Sequence, residues 1–429
     1  MPIEFLKKAR KKNVEALNDV NGSVSNMLRK IELGGERQVE SFSREFDNFS
    51  GPIVVSESLF KLAEKSVSND VKEDIHYAKE NVEKFALEQL NSMNDFQSEI
   101  RPGLIAGQKS IPVNSAGCYV PGGRYSHIAS AIMTVTTAKV AGVKNITVCS
   151  PPRNGQKTPN EIIYAARLCG ADKILTLGGV QGIASLAFGF FGAPKSDIIV
   201  GPGNQFVTQA KRLLFGRVGI DMLAGPTDSL IIADSTADPV LVATDLISQA
   251  EHGYNSPVWL LSDDRKLCLD VLNLVPDQIN SLPKINRDNA AAAWNDFGQV
   301  ILCDNRELIA KESDNISPEH LSIQADNLEW WLNRLSSYGS LFLGEETTVS
   351  FGDKVSGPNH VLPTSGAARY TGGLSVHNFR KIVTWQKSTR YAAKEQAIKT
   401  ARISRLEGME GHARSADVRL KKFFHDQNL

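Results

Sequence analysis

A glutamine and a histidine three residues apart are placed where they could bind a metal ion. Asp238 is a favourable helix N-cap and Pro239 suits the first helical position, so a helix is predicted over 239–252, before a glycine. Gln249 and His252 would share one face of its last turn. An amide oxygen and an imidazole could be two of the three protein ligands that a catalytic zinc typically takes. The alternative is a helix-capping histidine beside an ordinary polar glutamine.

A glutamate and a histidine follow a predicted helix start in the sequence SPEHL. Ser317 is the predicted N-cap and Pro318 the first helical residue, which would place Glu319 and His320 in the first turn. Histidine can transfer protons near neutral pH, and a carboxylate can tune it or activate water. The pair could act as general acid and base, although a glutamate also suits a helix N-terminus because of the helix dipole alone.

Two further segments place acids and histidines among glycines. The sequence FGDKVSGPNHVLPTSG brings Asp353, Lys354 and His360 into a loop-forming stretch, and loops of this kind often carry functional residues. The sequence RLEGMEGHARSAD places Glu407 and His412 in a helix with two interior glycines, each of which costs about 1 kcal/mol. The glycines indicate that another group approaches this helix closely.

The sequence IIVGPGNQFVTQAKR predicts a strand, a glycine turn and a helix. A turn of this kind can point backbone N–H groups at an anion such as phosphate. It is not the GxGxxG fingerprint of dinucleotide-binding folds, because Phe206 occupies the position of the last glycine.

The elements that must position these residues alternate between strand and helix from about residue 111 onward. This alternation predicts an α/β fold with mostly parallel sheets. The residues before it are charged and helix-patterned. Residues 398–424 carry an apolar stripe among many charges, which predicts a helix or helix pair that packs on a neighbouring surface or a second subunit.

The composition excludes several classes of protein. The 429 residues contain 48 Lys+Arg and 48 Asp+Glu, which argues against a polybasic nucleic-acid binder. No apolar run reaches the roughly 18 residues of a membrane span, and the N-terminal segment lacks the apolar region of a secretory signal. The five cysteines include no CxxC pair, which argues against a disulfide framework or a thiolate zinc site. We therefore expect a cytoplasmic enzyme.

Eight motifs occur in one order across residues 117–420: YVPGG, LGGVQGIASLAFG, VGPGNQFVTQAKR, AGPTD, SQAEHG, SPEHL, GDKVSGPNHVLPT and EGMEGHA. Together they resemble the histidinol dehydrogenase family. Members of this family are zinc-containing, NAD-dependent enzymes that oxidise a primary alcohol to an acid in two steps through a bound aldehyde. The resemblance covers nearly the whole chain and implies two Rossmann-like parallel-sheet domains without a standard GxGxxG, plus helical N- and C-terminal segments.

The resemblance also implies a role for each matching position. The implied zinc ligands are Gln249, His252, Asp353 and His412. The implied catalytic acid/base pair is Glu319 and His320. The implied NAD contacts are Tyr119, Gln181 and Asn204. The implied substrate contacts are Thr227, Gln249, His252, His320, Asp353, His360, Glu407 and His412. The family forms an intertwined homodimer in which the C-terminal segment completes the partner's site.

The domain organisation implied by the resemblance has four parts. They are an N-terminal helical arm (1–20), a larger discontinuous domain with the zinc and catalytic residues (21–118 and 228–375), an inserted domain on the NAD side (119–227) and a C-terminal helical segment that packs on the partner subunit (376–429).

Three departures from the family pattern bear on the substrate. Lys354 stands where histidinol dehydrogenases commonly carry Tyr, the sequence PTD replaces PSE at 226–228, and His127 begins a segment that is usually aromatic-Pro-Ser. A buried cation needs an anionic partner. These features resemble the family's sulfopropanediol 3-dehydrogenase branch, which oxidises 2,3-dihydroxypropane-1-sulfonate to sulfolactate. Lys354 would then bind the sulfonate, and Arg124, His127 or Asn255 could share that role.

Three alternatives remain. The first is oxidation of histidinol itself, which is the same chemistry on a cationic substrate. The second is a catalytically inactive family member that serves as a binding or scaffold protein, and the intact ligand and Glu-His positions weigh against it. The third is an NAD dehydrogenase without zinc on a standard Rossmann domain, which the missing GxGxxG disfavours.

Overall fold

The computed structural model describes residues 3–11, 17–122, 127–223 and 225–424. The chain divides into two compact units. The first comprises Met1–Leu90 and Val113–Phe379, and the second comprises Asn91–Pro112 and Arg380–Leu429. Among the described residues, no helix has both the length and the apolar character needed to cross a membrane.

The strands, in chain order, are β1 (Ile3–Lys7), β2 (Phe96–Arg101), β3 (Leu104–Pro112), β4 (Ser115–Tyr119), β5 (Asn145–Ser150), β6 (Lys173–Thr176), β7 (Ile198–Val200), β8 (Gly219–Ile220), β9 (Ser229–Ala233), β10 (Val258–Ser262), β11 (Gln299–Cys303), β12 (His320–Gln324), β13 (Ser340–Leu343) and β14 (Arg380–Ser388).

The α-helices are α1 (Leu17–Asp47), α2 (Glu57–Ser66), α3 (Asn69–Asn91), α4 (Ile128–Val140), α5 (Asn160–Cys169), α6 (Gly179–Phe188), α7 (Gln205–Leu214), α8 (Pro239–Ala250), α9 (Arg265–Ser281), α10 (Lys284–Phe297), α11 (Arg306–Ile316), α12 (Leu328–Arg334), α13 (Val349–Gly352), α14 (Arg390–Leu406) and α15 (Glu410–Phe424). A non-helical residue, Gly35, interrupts α1.

The large sheet of the first unit has the strand order β1-β11-β10-β9-β12-β13 and is parallel except for β1. Both of its faces are buried, as is usual for parallel strands covered by helices. In β9, Leu230 and Ile232 pack with residues of α11 and α12, whereas Ile231 and Ala233 pack with residues of α8, α9 and α10. Alternation of side chains along the strand therefore divides the core between the two faces.

The inserted sheet of the same unit has the order β6-β5-β4-β7-β8 and is parallel throughout. Side chains of α1, α6 and α7 share one core cluster with it. The first strand, β4, lies between β5 and β7, so the chain reverses its direction along the sheet at this point. In open α/β sheets such a reversal leaves a crevice at the carboxyl ends of the strands, where dinucleotides bind. The predicted α/β class with parallel sheets is confirmed.

The second unit contains the antiparallel sheet β14-β3-β2 and the helix pair α14 and α15. Gly408, with a φ of 74°, separates the two helices, and alanines from both form their contact. The helix pair was expected from the apolar stripe. The predicted C-terminal helical segment over 376–429 is wrong for Arg380–Ser388, which form β14, and the hairpin of β2 and β3 was not expected either. The four domain boundaries stay predictions.

The predicted helical arm over residues 1–20 is wrong for its first part. Residues Ile3–Lys7 form β1, which pairs antiparallel with β11. The partner strand lies about 300 residues further along the chain, and Lys7 Nζ donates to the carbonyls of Trp294 (2.6 Å) and Gly298 (2.7 Å). Because this pairing is long-range, local helix patterning gave no indication of it.

Candidate active site

Helix α8, predicted over 239–252, ends two residues earlier than expected, so of the predicted metal-binding pair only Gln249 lies in its last turn. The Asp238 carboxylate caps α8 by accepting a hydrogen bond from Val240 N, and the helix ends at Ala250. Gln249 is buried in its last turn, and within the described residues its Oε1 has no hydrogen-bond partner. His252 follows just beyond the helix, with its Nε2 3.9 Å from Asp353 Oδ2.

The predicted helix start at Ser317 and Pro318 is wrong. Ser317 instead terminates α11: its N–H donates to the Ser313 carbonyl, and it adopts a left-handed φ of 52°. Glu319 follows in the connecting loop, and His320 is the first residue of β12. The pair therefore lies at the amino edge of the large sheet and not in a helical turn.

A carboxylate to which the sequence analysis gave no role, Asp228, holds this pair in place. Asp228 Oδ1 accepts from Glu319 N (2.7 Å), and Asp228 N donates to Glu319 Oε2 (3.1 Å). The Asp228 carbonyl accepts from His320 N at 3.3 Å, and Asp228 Oδ2 accepts from Ser365 N at 2.8 Å. Asp228 directly precedes β9 and directly follows Thr227, the predicted substrate contact. The sequence feature that could have identified Asp228 is its position as an acid directly before a strongly apolar strand.

His320 lies between two carboxylates. Its Nδ1 is 3.7 Å from Glu319 Oε2 and its Nε2 is 3.5 Å from Asp353 Oδ1. Both Glu319 and His320 are buried, and His320 Nε2 makes no hydrogen bond to the described residues. Burial raises the pKa of Glu319. Burial alone would lower the pKa of His320, but the Glu319 and Asp353 carboxylates outweigh it and raise this pKa. The arrangement can hold and move a proton.

Besides His320, three imidazoles and an ammonium group lie near Asp353. Burial, together with His360, Lys354 and His252, lowers the pKa of His127 to about 4. Burial is also the main cause that lowers the pKa values of His252 and His360, and Lys354 contributes to both. Lys354 is exposed, yet its charge acts on all three imidazoles. It therefore lies at the rim of the site.

His360 links the segment that carries Asp353 to helix α4. Its Nδ1 is 2.8 Å from the Asp353 carbonyl, and its Nε2 is 3.0 Å from Ser130 Oγ, in the first turn of α4. The N-cap residue of α4, His127, makes no side-chain capping hydrogen bond. The N-terminus of α4, which carries partial positive charge, thus approaches the imidazole cluster.

The three residues predicted to contact NAD lie at the carboxyl edge of the inserted sheet. Tyr119 ends β4, and its hydroxyl accepts from Gly179 N at 3.0 Å. Gln181 lies in the first turn of α6, and its Nε2 donates to Asp47 at 2.8 Å. Asn204 caps α7 by accepting from the backbone N–H groups of its first turn at 3.0 and 3.1 Å. All three sit beside the crevice that the strand order creates.

Glu407 and His412 belong to the second unit, where both are exposed. Within the described residues, no three His, Cys, Asp or Glu side chains form a group that could hold a metal ion. Arg124, a predicted candidate for sulfonate binding, lies outside the described residues. In the first unit, His252, three residues after Gln249, lies close to Asp353, whereas the predicted fourth ligand, His412, belongs to the second unit.

A buried glutamate–histidine pair on one α/β sheet and a crevice at the carboxyl edge of another are features expected of a dehydrogenase. Comparison with known proteins agrees. The sequence model of the histidinol dehydrogenase family matches residues 10–420. The histidinol dehydrogenase of Elizabethkingia anophelis superposes with a TM-score of 0.89 at 34% identity, over 97% of this chain and 94% of its own.

Two relatives of this family carry different names. The chain is 60% identical to a sulfopropanediol 3-dehydrogenase of Ruegeria pomeroyi, over 100% of this chain and 99% of the relative. It is 40% identical to a histidinol dehydrogenase of Thermus thermophilus, over 92% and 93% respectively. The chain belongs to the histidinol dehydrogenase family, and it is an NAD-dependent dehydrogenase. The predicted resemblance is confirmed.

Proposed function

We propose that this enzyme oxidises (R)-2,3-dihydroxypropane-1-sulfonate to sulfolactate, with zinc and two molecules of NAD. The reaction removes four electrons from a primary alcohol and passes through an aldehyde that stays bound. The observation that carries the substrate is the ammonium charge of Lys354 at the rim of the site, which acts on His127, His252 and His360, because a cation there suits an anionic substrate. The 60% identity to a sulfopropanediol 3-dehydrogenase supports the same substrate.

The donor set fits zinc. Gln249 Oε1 is buried without a hydrogen-bond partner among the described residues, which is costly unless a ligand engages it. His252 and Asp353 supply an imidazole nitrogen and a carboxylate oxygen nearby, both of which are ordinary zinc ligands. We propose that these three residues hold the metal together with His412. When bound, zinc would polarise the substrate oxygens and lower the pKa of the alcohol.

His412 would come from a second copy of the chain. Both Glu407 and His412 are exposed in the second unit, so they are accessible to a partner. We propose a homodimer in which this segment completes the partner's site, with Glu407 contacting the substrate. Localisation in the cytoplasm stays a prediction from the sequence.

The other site residues would each have a role in catalysis or in binding. His320 would accept the hydroxyl proton while the substrate carbon gives its hydride to NAD. Glu319 would then help a water molecule to attack the aldehyde, and the hydrate would give a second hydride to a second NAD. Asp228 positions Glu319 and His320 by accepting hydrogen bonds from the backbone N–H of each, and its own N–H donates to the Glu319 carboxylate. Thr227, the residue before Asp228, would contact the substrate. NAD would bind beside Tyr119, Gln181 and Asn204.

The test is NAD reduction by the purified protein with sulfopropanediol, histidinol and neutral glycerol analogues. We expect sulfopropanediol to be preferred, with two NADH formed per substrate and little free aldehyde. One NADH per substrate with release of aldehyde would identify a simple alcohol dehydrogenase. A preference for histidinol would replace the proposed substrate by that of the Thermus relative.

Lys354 is the residue whose loss should separate the two substrates. A charge-assisted hydrogen bond to sulfonate contributes about 1.5–3 kcal/mol, which is roughly one to two decades in affinity. Lys354→Met and Lys354→Tyr should therefore raise the KM for sulfopropanediol by about that factor, without the same loss for histidinol. Lys144→Met, which removes an exposed lysine just before β5, is the control. Unchanged sulfopropanediol turnover at low concentration in both variants would show that Lys354 does not bind the anion.

A further inference from the structure

The inserted sheet has no acid where dinucleotide-binding sheets usually carry one. In such sheets, a carboxylate after the second strand accepts hydrogen bonds from the adenosine ribose. Here the corresponding strand is β5, and the chain continues as Pro151-Pro152-Arg153-Asn154-Gly155, with no Asp or Glu before Glu161. The sequence of the inserted domain alone does not account for a preference between NAD and NADP.

A carboxylate from outside that domain occupies the same edge. Asp47 is the last residue of α1, and its Oδ2 accepts from Gln181 Nε2 at 2.8 Å. A Cβ added to Gly178 would lie 3.4 Å from Asp47 Oδ1 and 2.6 Å from Pro151 Cβ. Asp47 therefore lies close to both the residue after β5 and the turn after β6.

The neighbours of Asp47 belong to the crevice. Gln181 and Tyr119 are two of the residues proposed to contact NAD, and the hydroxyl of Tyr119 bonds the first turn of the same helix, α6. Burial raises the pKa of Asp47, and hydrogen bonds from Gln181 and the Gly178 backbone oppose that rise. Those hydrogen bonds favour the ionised carboxylate. Asp47 is only partly buried, so a ligand in the crevice can reach it.

We propose that Asp47 accepts hydrogen bonds from the adenosine ribose hydroxyls of NAD and thereby excludes NADP, an inference that rests on the NAD site proposed above. A carboxylate is a good acceptor for the two hydroxyls of an unmodified ribose. The 2′-phosphate of NADP would bring like charges together, which is a strong ground for discrimination. Asp47 is thus a specificity-determining residue supplied by α1.

The experiment compares the binding of NAD and NADP to the zinc-loaded protein by calorimetry, without an alcohol substrate. In Asp47→Asn and Asp47→Ser, the ratio of NAD affinity to NADP affinity should fall by about tenfold or more. Asp197→Asn is the matched control, because Asp197 also accepts backbone N–H groups of the inserted domain, at 2.8 and 3.0 Å, but at the opposite edge of the sheet. Its ratio should equal that of the wild type.

The ratio distinguishes recognition from a merely structural role. If Asp47 only orients Gln181 and α6, its loss should weaken both dinucleotides together and leave the ratio unchanged, which would overturn the proposal. The wild type itself provides a check that needs no variant. It should bind ADP-ribose more tightly than 2′-phospho-ADP-ribose, and the reverse order would also overturn the proposal. Failure of the wild type to bind any of these compounds would contradict the NAD dependence as well.

Discussion

The two sheets of the first unit carry their proposed site residues at opposite edges. In the inserted sheet, Tyr119 ends a strand and Asn204 begins a helix, so the predicted NAD contacts lie at the carboxyl edge. In the large sheet, Asp228 and Glu319 directly precede β9 and β12, so the proposed acid/base pair lies at the amino edge. Ser130 and His360 connect the two regions.

The difference follows the direction of the helix dipoles. Helices begin at the carboxyl edge of a parallel sheet, and their N-termini favour anions such as the phosphates of a dinucleotide. They end at the amino edge, where the partial negative charge of their C-termini favours cations. The last turn of α8 carries Gln249 to the amino edge of the large sheet, which suits a metal ion.

The proposed site residues at the two edges also differ in how far the chain itself satisfies their polar groups. At the inserted sheet, Tyr119, Gln181 and Asn204 each have a hydrogen-bond partner in the chain. At the large sheet, Gln249 Oε1 and His320 Nε2 are buried without one among the described residues. On the proposed roles, the first edge would be preformed for a dinucleotide, whereas the second would be completed by a metal ion and the substrate.

The largest effect should come from removing a proposed metal ligand. His252→Ala should lose both the zinc and the activity but keep the fold, because the ligands lie on separately packed elements. Metal analysis of the purified variant and its unfolding midpoint would test this. His377→Ala, which removes an exposed histidine from the same unit, is the control and should retain metal. Stoichiometric zinc in His252→Ala would refute the metal assignment.

Removing the proposed proton acceptor should have the next largest effect. General acid/base groups contribute on the order of 10²–10⁴-fold to rate, so His320→Ala should lower kcat by about that factor. Zinc content should not change, since His320 is not a proposed ligand. Steady-state rates at saturating substrate, with metal analysis of the same preparation, would test this. A kcat near that of the wild type would exclude His320 as the base.

At the inserted sheet, the main expected effect is a loss of stability when one member of a buried ion pair is removed. Lys211 Nζ lies 2.5 Å from Asp221 Oδ1, and both side chains are almost fully buried. Together they hold the turn after β7, because Lys211 donates to the Gly201 carbonyl at 2.9 Å and Asp221 accepts from Gly201 N at 2.8 Å. Lys211→Met would leave an unpaired buried carboxylate, at a cost of about 3–5 kcal/mol in the free energy of unfolding.

Urea unfolding would measure that loss. The control is Arg217→Ala, which breaks an exposed ion pair with Glu32 that is worth about 0–1 kcal/mol. If Lys211→Met proved no more destabilising than Arg217→Ala, the turn after β7 would not depend on the buried pair, and the inserted edge could not be called preformed.

The sequence predicted those parts of the site that depend on local signals. Asp238 and Pro239 marked the start of α8, and the glycine turn before Asn204 marked the strand and helix around it. Serine followed by proline was misread at Ser317, because both residues also suit the turn after a helix. The five-residue strand β12 was too short for its periodicity to decide against a helix.

The missed residues act through contacts that no local pattern contains. Asp228 bonds Glu319 across 91 residues of sequence, and Asp47 bonds Gln181 across 134. Each acid was visible in the sequence, but only the fold brings it to its partner. The roles of Gln249 and His252 were ambiguous from spacing alone and became specific only through the order of the eight motifs. Local chemistry identified the candidates, and the resemblance selected among them.

The smallest effect should come from the carboxyl edge of the large sheet, which carries none of the proposed catalytic groups. Asp238 caps α8 at this edge, about three turns from Gln249 at the other end of the helix. Asp238→Ala should cost about 1 kcal/mol in the free energy of unfolding, because Val240 N loses its acceptor. Zinc content and kcat should stay at the wild-type level, and Asp238→Asn should restore most of the stability. Urea unfolding and steady-state kinetics on one preparation would test both statements. A large fall in kcat with zinc retained would mean that chemistry depends on both edges of the large sheet, and the contrast between the two sheets would then fail.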